Sequence, residues 1–277
     1  LKIELDGLVF CVGWISAQQK RVLIEDCSTQ WRDEISPAPS LCLLCERDSP
    51  DVVLARLVAD LHRAGHIGWR GELYAVREET SGRKLALIER AAAKFLGLVT
   101  VGAHCNGYVV DHRGRPSHLW IGKRALSKAI DPGLLDNLVG CGVPWPQSPD
   151  EAVIREGWEE AGFPATVMRG ATLQDVHGLD RQDVGGRHRQ LLHIYDLMLP
   201  QGLVPRNLDG EVESYLLLAT QEITERLRAG QFTPDAAVAT LDFLFRYRLV
   251  EIDIRGDDLG RIWQQSVGVL NTYALDC

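Results

Sequence analysis

The sequence predicts an α+β protein in which a mixed sheet is sandwiched between helices, an α/β/α arrangement preceded by a small α/β N-terminal domain. Three observations carry this prediction. The first 97 residues alternate short strand-like and helix-like stretches, and from Val99 onward the apolar runs lengthen into strands. Strands then flank a single well-marked central helix, and two closing helices follow them. A chain of 277 residues falls between one large domain and two ordinary ones, so the reading divides it at 1–97, 98–250 and a C-terminal extension at 251–277.

In the first part the clearest helix covers about residues 50–64, where Val53, Leu57 and Leu61 recur every four positions and Asp60 and Arg63 stand among the polar ones. Residues 73–76 read as a short strand and 85–96 as a second amphipathic helix, closed by Gly97 beside the expected boundary. Strands are expected next at 99–111 and 118–123, joined as a hairpin by the turn-like Asp111-His-Arg-Gly-Arg-Pro116. Later strands fall at 166–176, 190–199 and 212–219, and the closing helices at 220–229 and 234–246. There is no internal repeat and no low-complexity segment.

A formal net charge of -8 argues against a general nucleic-acid binder, whose partner would demand a basic face. A small anionic substrate would instead need local Lys, Arg or a metal. No apolar run reaches the roughly 18 to 20 residues of a membrane span, and no basic segment followed by an apolar core opens the chain. The expectation is a cytoplasmic protein without membrane partners, although a chain opening on Leu1 leaves a preceding segment open. Seven cysteines, an odd and scattered set, suit a reducing compartment. Cys42 and Cys45 form a C-x-x-C inside an apolar run with no second pair, and read as buried thiols.

The central helix is marked at both ends. Ser148 with Glu151 three residues on is a capping-box pattern, Pro149 occupies the first helical position, and Gly162 followed by Pro164 stops the helix. Glu156, Glu159 and Glu160 stand at i, i+3 and i+4, so they share one face. Three carboxylates so placed repel unless a cation or basic partner sits among them, and hard oxygen donors select Mg²⁺, Mn²⁺ or Ca²⁺ over zinc. A solvated acidic face is the plainer reading of those three residues alone.

Their surroundings point further. Arg155-Glu-Gly-Trp-Glu-Glu-Ala-Gly-Phe163 resembles the second half of the Nudix hydrolase signature at every fixed position except the apolar one, which is Gly157. The resemblance implies Glu156, Glu159, Glu160 and the carbonyl of Gly140 as metal ligands. Mg²⁺, or alternatively Mn²⁺, is the expected cofactor, and Arg155 would hold the acidic cluster in place. Catalytic roles are expected for Glu159, Glu160, Arg155 and Glu211. The first half departs from the signature: Gln147 stands where the family has Glu, and Cys141 where it has Gly. Loss of the charge at 147 is expected to lower metal affinity or turnover, and Cys141 to restrict a turn.

Val101-Gly-Ala-His-Cys-Asn-Gly-Tyr108, Leu119-Trp-Ile-Gly-Lys-Arg124, Asp131-Pro-Gly133, Leu135-Asp-Asn137 and Asp209-Gly-Glu-Val-Glu213 look like the Nudix subfamily related to the domain fused to thiamine pyrophosphokinase. That resemblance implies a distinct N-terminal domain and a small organic diphosphate as substrate, with thiamine diphosphate or its oxidised analogues as one instance. Lys123 and Arg124 end a strand expected beside the metal site and could hold phosphate. Glu211 and Glu213 share a strand side by the period-two rule, and either could serve as base or ligand.

His104 and Asn106 share another face, which the resemblance assigns to substrate binding, with a satisfied structural histidine as the alternative at 104. Trp120, Trp145 and Trp158 are candidate ring-stacking groups but suit packing better. Gly185-Gly186 with Arg187, His188 and Arg189 reads as a basic turn. The expected activity is hydrolysis of a diphosphate linkage, with a homodimer left open. The rivals are a diphosphate-binding module without turnover, a nucleoside diphosphate-X hydrolase of other specificity, and a diphosphate isomerase.

Overall fold

Apolar residues spaced by three and four place Val53, Leu54, Leu57, Val58 and Leu61 on the buried side of the helix Pro50–Arg63, which Pro50 opens at its first turn. The computed structural model describes residues 1–35, 39–46, 48–183, 185–250 and 258–266. In chain order the first part comprises β1 (Lys2–Leu5), β2 (Leu8–Cys11), α1 (Ala17–Glu25), β3 (Trp31–Glu34), β4 (Ser40–Leu44) and α2 (Pro50–Arg63), followed by β5 (Leu73–Arg77), β6 (Lys84–Glu89) and α3 (Arg90–Phe95). Strands β2-β1-β4-β3 form one sheet, with β1 and β4 parallel, and β5 and β6 form a separate hairpin.

The expected helix at 85–96 is therefore a strand followed by a short helix. Lys84 to Glu89 alternates so that Ala86 and Ile88 are buried against α2, a period-two pattern that four apolar residues in a row conceal. Cys42 is buried and Cys45 half-buried, and both are free thiols, as are Cys11, Cys27, Cys105 and Cys141.

The second part comprises β7 (Val99–Val110), β8 (Pro116–Arg124), β9 (Leu135–Asp136), β10 (Val139–Gly142), α4 (Pro149–Glu159), α5 (Ala165–Met168), β11 (Thr172–Asp183) and β12 (Gly186–Met198), then β13 (Val212–Ala219), α6 (Thr220–Arg228), α7 (Pro234–Arg246) and α8 (Asp258–Ser266). The sheet runs β11-β12-β7-β8-β13, with β12 parallel to β7 and the other neighbours antiparallel, so it is mixed as expected. Ala103, Cys105, Tyr195 and Leu197 pack on the side of α4, while Leu192 and Ile194 pack against Val238 and Ala239 of α7 on the other. The α/β/α sandwich follows directly from this alternation.

The strand expected at 166–176 begins later, at Thr172. Pro164 caps a single helical turn, α5, whose Met168 is buried. Of the extension expected at 251–277, only α8 lies within the described residues. No helix among the described residues is long and apolar enough to cross a membrane.

One feature of the sheet creates the site. The same edge of β7 is shared by two partners: β10 pairs with residues 102–105 and β8 with residues 107–110. Strand β9 pairs with Gly122 and Lys123 at the far end of β8. Between β8 with its partner β9 and β10, the sheet parts, and polar side chains fill the opening.

Candidate metal and phosphate site

Helix α4 is fixed at its start by both halves of the capping box: the Glu151 amide donates to Ser148 Oγ at 3.3 Å and the Ser148 amide to Glu151 Oε2 at 2.9 Å. Glu160 closes the helix, and Gly162 follows with φ of 69°, in the left-handed region where a side chain would be strained. The departure at Gly157 has a packing cause. An added Cβ there would stand 2.4 Å from Met168 Cε, so the methionine of α5 fills the space an apolar side chain at 157 would occupy.

Arg155 ties the acidic face together. Its Nη1 donates to Glu159 Oε2 at 2.6 Å, its Nη2 to Glu156 Oε1 at 2.7 Å, and its Nε to Gln147 Oε1 at 3.3 Å. Gln147 thus holds the guanidinium through an amide oxygen. Glu160 is only 7% exposed, and its Oε2 accepts from the Gly140 amide at 3.3 Å. Burial, reinforced by Glu156 and Asp136, pushes the Glu160 carboxyl well above the usual range. Burial also raises Glu156, against the pull of Arg155.

Beside Glu160 lies a pocket lined by Gly122, Arg124, Lys128, Asp136, Asn137, Gly140, Glu211 and Val212. Arg124 Nη1 donates to Asp136 Oδ2 at 2.9 Å and its Nη2 to the Ile130 carbonyl at 3.0 Å. Lys128 pairs with Glu211. Gly140 is tightly enclosed: an added Cβ would lie 2.6 Å from Asp136 Oδ1 and 3.0 Å from the His104 ring, so a side chain there would displace the Asp136 carboxylate.

The structure separates residues that the sequence grouped. Arg124 and Glu211 line the pocket, whereas Lys123 points away and pairs with Glu213 at 2.9 Å. The bulge between Val212 and Ser214 breaks the period-two expectation for Glu211 and Glu213. His104 is buried behind the pocket, with Nδ1 2.7 Å from Asn137 Oδ1. Asn106 is 1% exposed and spends its amide on Asp196, the Ala239 carbonyl and Asn137, so it has no surface to offer a ligand from solvent.

Cys141 is extended and paired with Ala103, so no turn is restricted there. Trp120 is buried, Trp158 is exposed, and Lys84 lies 4.4 Å over the exposed ring of Trp145. Arg187 pairs with Asp180, Arg189 with Glu79, and His188 with Asp235, away from the pocket lining. Asp136 and Lys128 were missed. Asp136 stood within the Leu135-Asp-Asn137 resemblance but received no role of its own; Lys128, in a loop, gave no signal.

A second ionic cluster lies on the α7 side of the sheet. His177 Nε2 is 3.0 Å from Asp242 Oδ1, and Arg246 donates both to Asp242 Oδ2 and, through two nitrogens, to Asp196 at 2.6 and 3.0 Å.

Comparison with known proteins identifies the fold. The family model for the NUDIX domain matches residues 104–238. That stretch has the Nudix fold. Its sheet has α4 on one face and α7 on the other, and α4 lies wholly inside the matched residues. Relatives include Nudix hydrolase 24, chloroplastic, of Arabidopsis thaliana, 38% identical over 73% of this chain and 56% of that protein. Nudix hydrolase 20, chloroplastic, of the same plant is 37% identical over 68% of this chain and 50% of that protein. The chain thus spans little more than half the length of these relatives. Among solved structures, the Deinococcus radiodurans protein DR0079 aligns over 63% of this chain and 98% of its own, with 19% identity and a TM-score of 0.46.

Proposed function

We propose that the Nudix domain hydrolyses a diphosphate linkage in a small organic diphosphate, with a divalent cation held by Glu156, Glu159 and Glu160. The observation that carries this reading is the buried Glu160 carboxylate, set against Glu156 and Asp136 at a pocket that also presents Arg124 and Lys128. The donors are all oxygens, which fits Mg²⁺ or Mn²⁺. A cation bound there would neutralise phosphate oxygens and lower the pKa of an attacking water. Arg124 would grip phosphate with a planar guanidinium and Lys128 would add a mobile charge. Arg155 holds Glu156 and Glu159 in register, and Glu211, brought in by its pair with Lys128, is placed to take a proton from water. The Gly140 carbonyl would complete the ligand set.

Asn106 and Lys123 drop out of this assignment, and His104 supports Asn137 from behind. Residues 1–97 and 98–250 act as two domains in this reading, consistent with buried clusters that divide between Leu98 and Ala103. The free thiols fit a reducing, cytoplasmic setting.

The test is product identification with Mg²⁺ and a panel of thiamine diphosphate, oxythiamine diphosphate, ADP-ribose, NADH and isopentenyl diphosphate. Monophosphate release from one of these, reduced by about 10²-fold or more in Glu159→Gln, is the expected outcome. Binding without product would favour a module without turnover, and an isomerised diphosphate would favour the isomerase.

A further inference from the structure

We propose that the β5–β6 hairpin of the N-terminal region is a clamp on the metal site, and that Tyr74 is a positioning residue acting through Gly142. The inference rests on reading the α4 face as a metal site. Residues 140–147 precede α4 and hold two of its side chains, through the Gly140 amide on Glu160 and Gln147 Oε1 on Arg155. The hairpin grips that segment at three points. The Trp145 amide donates to the Leu73 carbonyl at 2.7 Å. Lys84 lies 4.4 Å over the Trp145 ring.

Tyr74, only 6% exposed, brings its hydroxyl so close to β10 that a Cβ at position 142 would stand 1.8 Å from Oη and 3.1 Å from Cζ. Of the two glycines in the segment, Gly142 is therefore the one where a single methyl would push against the hairpin, two residues from the Gly140 amide that orients Glu160. The three grips fall on residues 142 and 145 rather than on Glu156, Glu159 or Glu160. The hairpin fixes where the ligands stand, as groups behind a metal's direct ligands do.

The experiment measures Mn²⁺ affinity by titration of the full chain, alongside thermal unfolding. Gly142→Ala is expected to weaken Mn²⁺ binding by about tenfold, the lower end for loss of an orienting group. Adding Tyr74→Phe, which removes Oη and leaves Cζ at a tight but tolerable distance, is expected to restore most of that loss. Asp60→Asn, which weakens the contacts of α2 with Ser28 and Arg63 away from the hairpin's grip on residues 142 and 145, should lower stability and leave Mn²⁺ binding unchanged. Native affinity in Gly142→Ala, or a loss that Tyr74→Phe does not relieve, would overturn the clamp. Should Gly142→Ala fail to fold, Tyr74→Ala decides, because native Mn²⁺ affinity in that variant also overturns it. Failure of the parent chain to bind Mn²⁺ is a separate outcome that removes the metal reading itself.

Discussion

Two buried ionic clusters, one on either side of the sheet, treat the same kind of residue in opposite ways. Asp242 on the α7 side is 5% exposed and Glu160 on the α4 side 7%, so burial alone would raise both carboxyls. Asp242 nevertheless lies below the usual range: burial raises it, but hydrogen bonds from His177 and Arg246 outweigh that cost. Glu160 has one backbone amide, two neighbouring carboxylates and only the more distant pull of Lys128, and it is driven up. The first cluster hydrogen-bonds its counter-charge directly; at Glu160 the counter-charge is the more distant Lys128, and that deficit is what the proposed cation would supply. Burial of a carboxylate is therefore weak guidance to function, and the identity of what faces it is strong guidance.

The comparison can be broken most forcefully at Arg246. In Arg246→Met, Asp196 and Asp242 lose their guanidinium while remaining buried, and unfolding stability should fall by about 3 kcal/mol with Mn²⁺ affinity unchanged. A chemical denaturation series that shows no loss would mean that the α7-side cluster is as open to ions as the other. The converse change is Glu160→Gln. A carboxyl whose folded pKa is raised disfavours the ionised fold, so stability is lost as pH rises from the unfolded value through the folded one. At neutral pH without metal, the glutamine variant should therefore unfold at a higher temperature, while binding Mn²⁺ more than about 100-fold less tightly. Lower stability together with native metal affinity would place Glu160 with the structural carboxylates.

The smallest effect extends the rule to a base. Burial lowers the pKa of His193 below 6.5, and its Nδ1 has no hydrogen-bond partner. The unfolded chain then binds the extra proton first, so this contribution to stability is complete above about pH 6.5 and declines as pH falls toward the folded value. His193→Gln should flatten that part of the stability curve; an unaltered acid limb would show that another group governs it.

What could be read in advance follows the same division between local and distant interactions. Helix α4 was legible in its caps and its i, i+3, i+4 carboxylates because both are local to the chain, and α7 and β13 lie at the residues expected of them. The strand β6 was misread because Leu85-Ala-Leu-Ile fits either period, and only its pairing with β5 decides. The choice between Lys123 and Arg124 turned on register, where one residue reverses the side chain's direction. Asp136 joined the site through the pairing of β8 with β9, and Lys128 through a loop that meets Glu211 some eighty residues later. No local pattern encodes either meeting.

Gly157 and Met168 add a caution about repairing such a helix. The residue missing from one helix has been supplied by the next, so the two positions hold a single packing volume between them. Installing the family's apolar residue at 157 by itself would overfill that volume. The buried Met168 side chain would have to give way, so a change meant to perfect the motif would first cost packing on the helix that carries the carboxylates. The volume is shared between two positions, and any redesign has to exchange both halves at once.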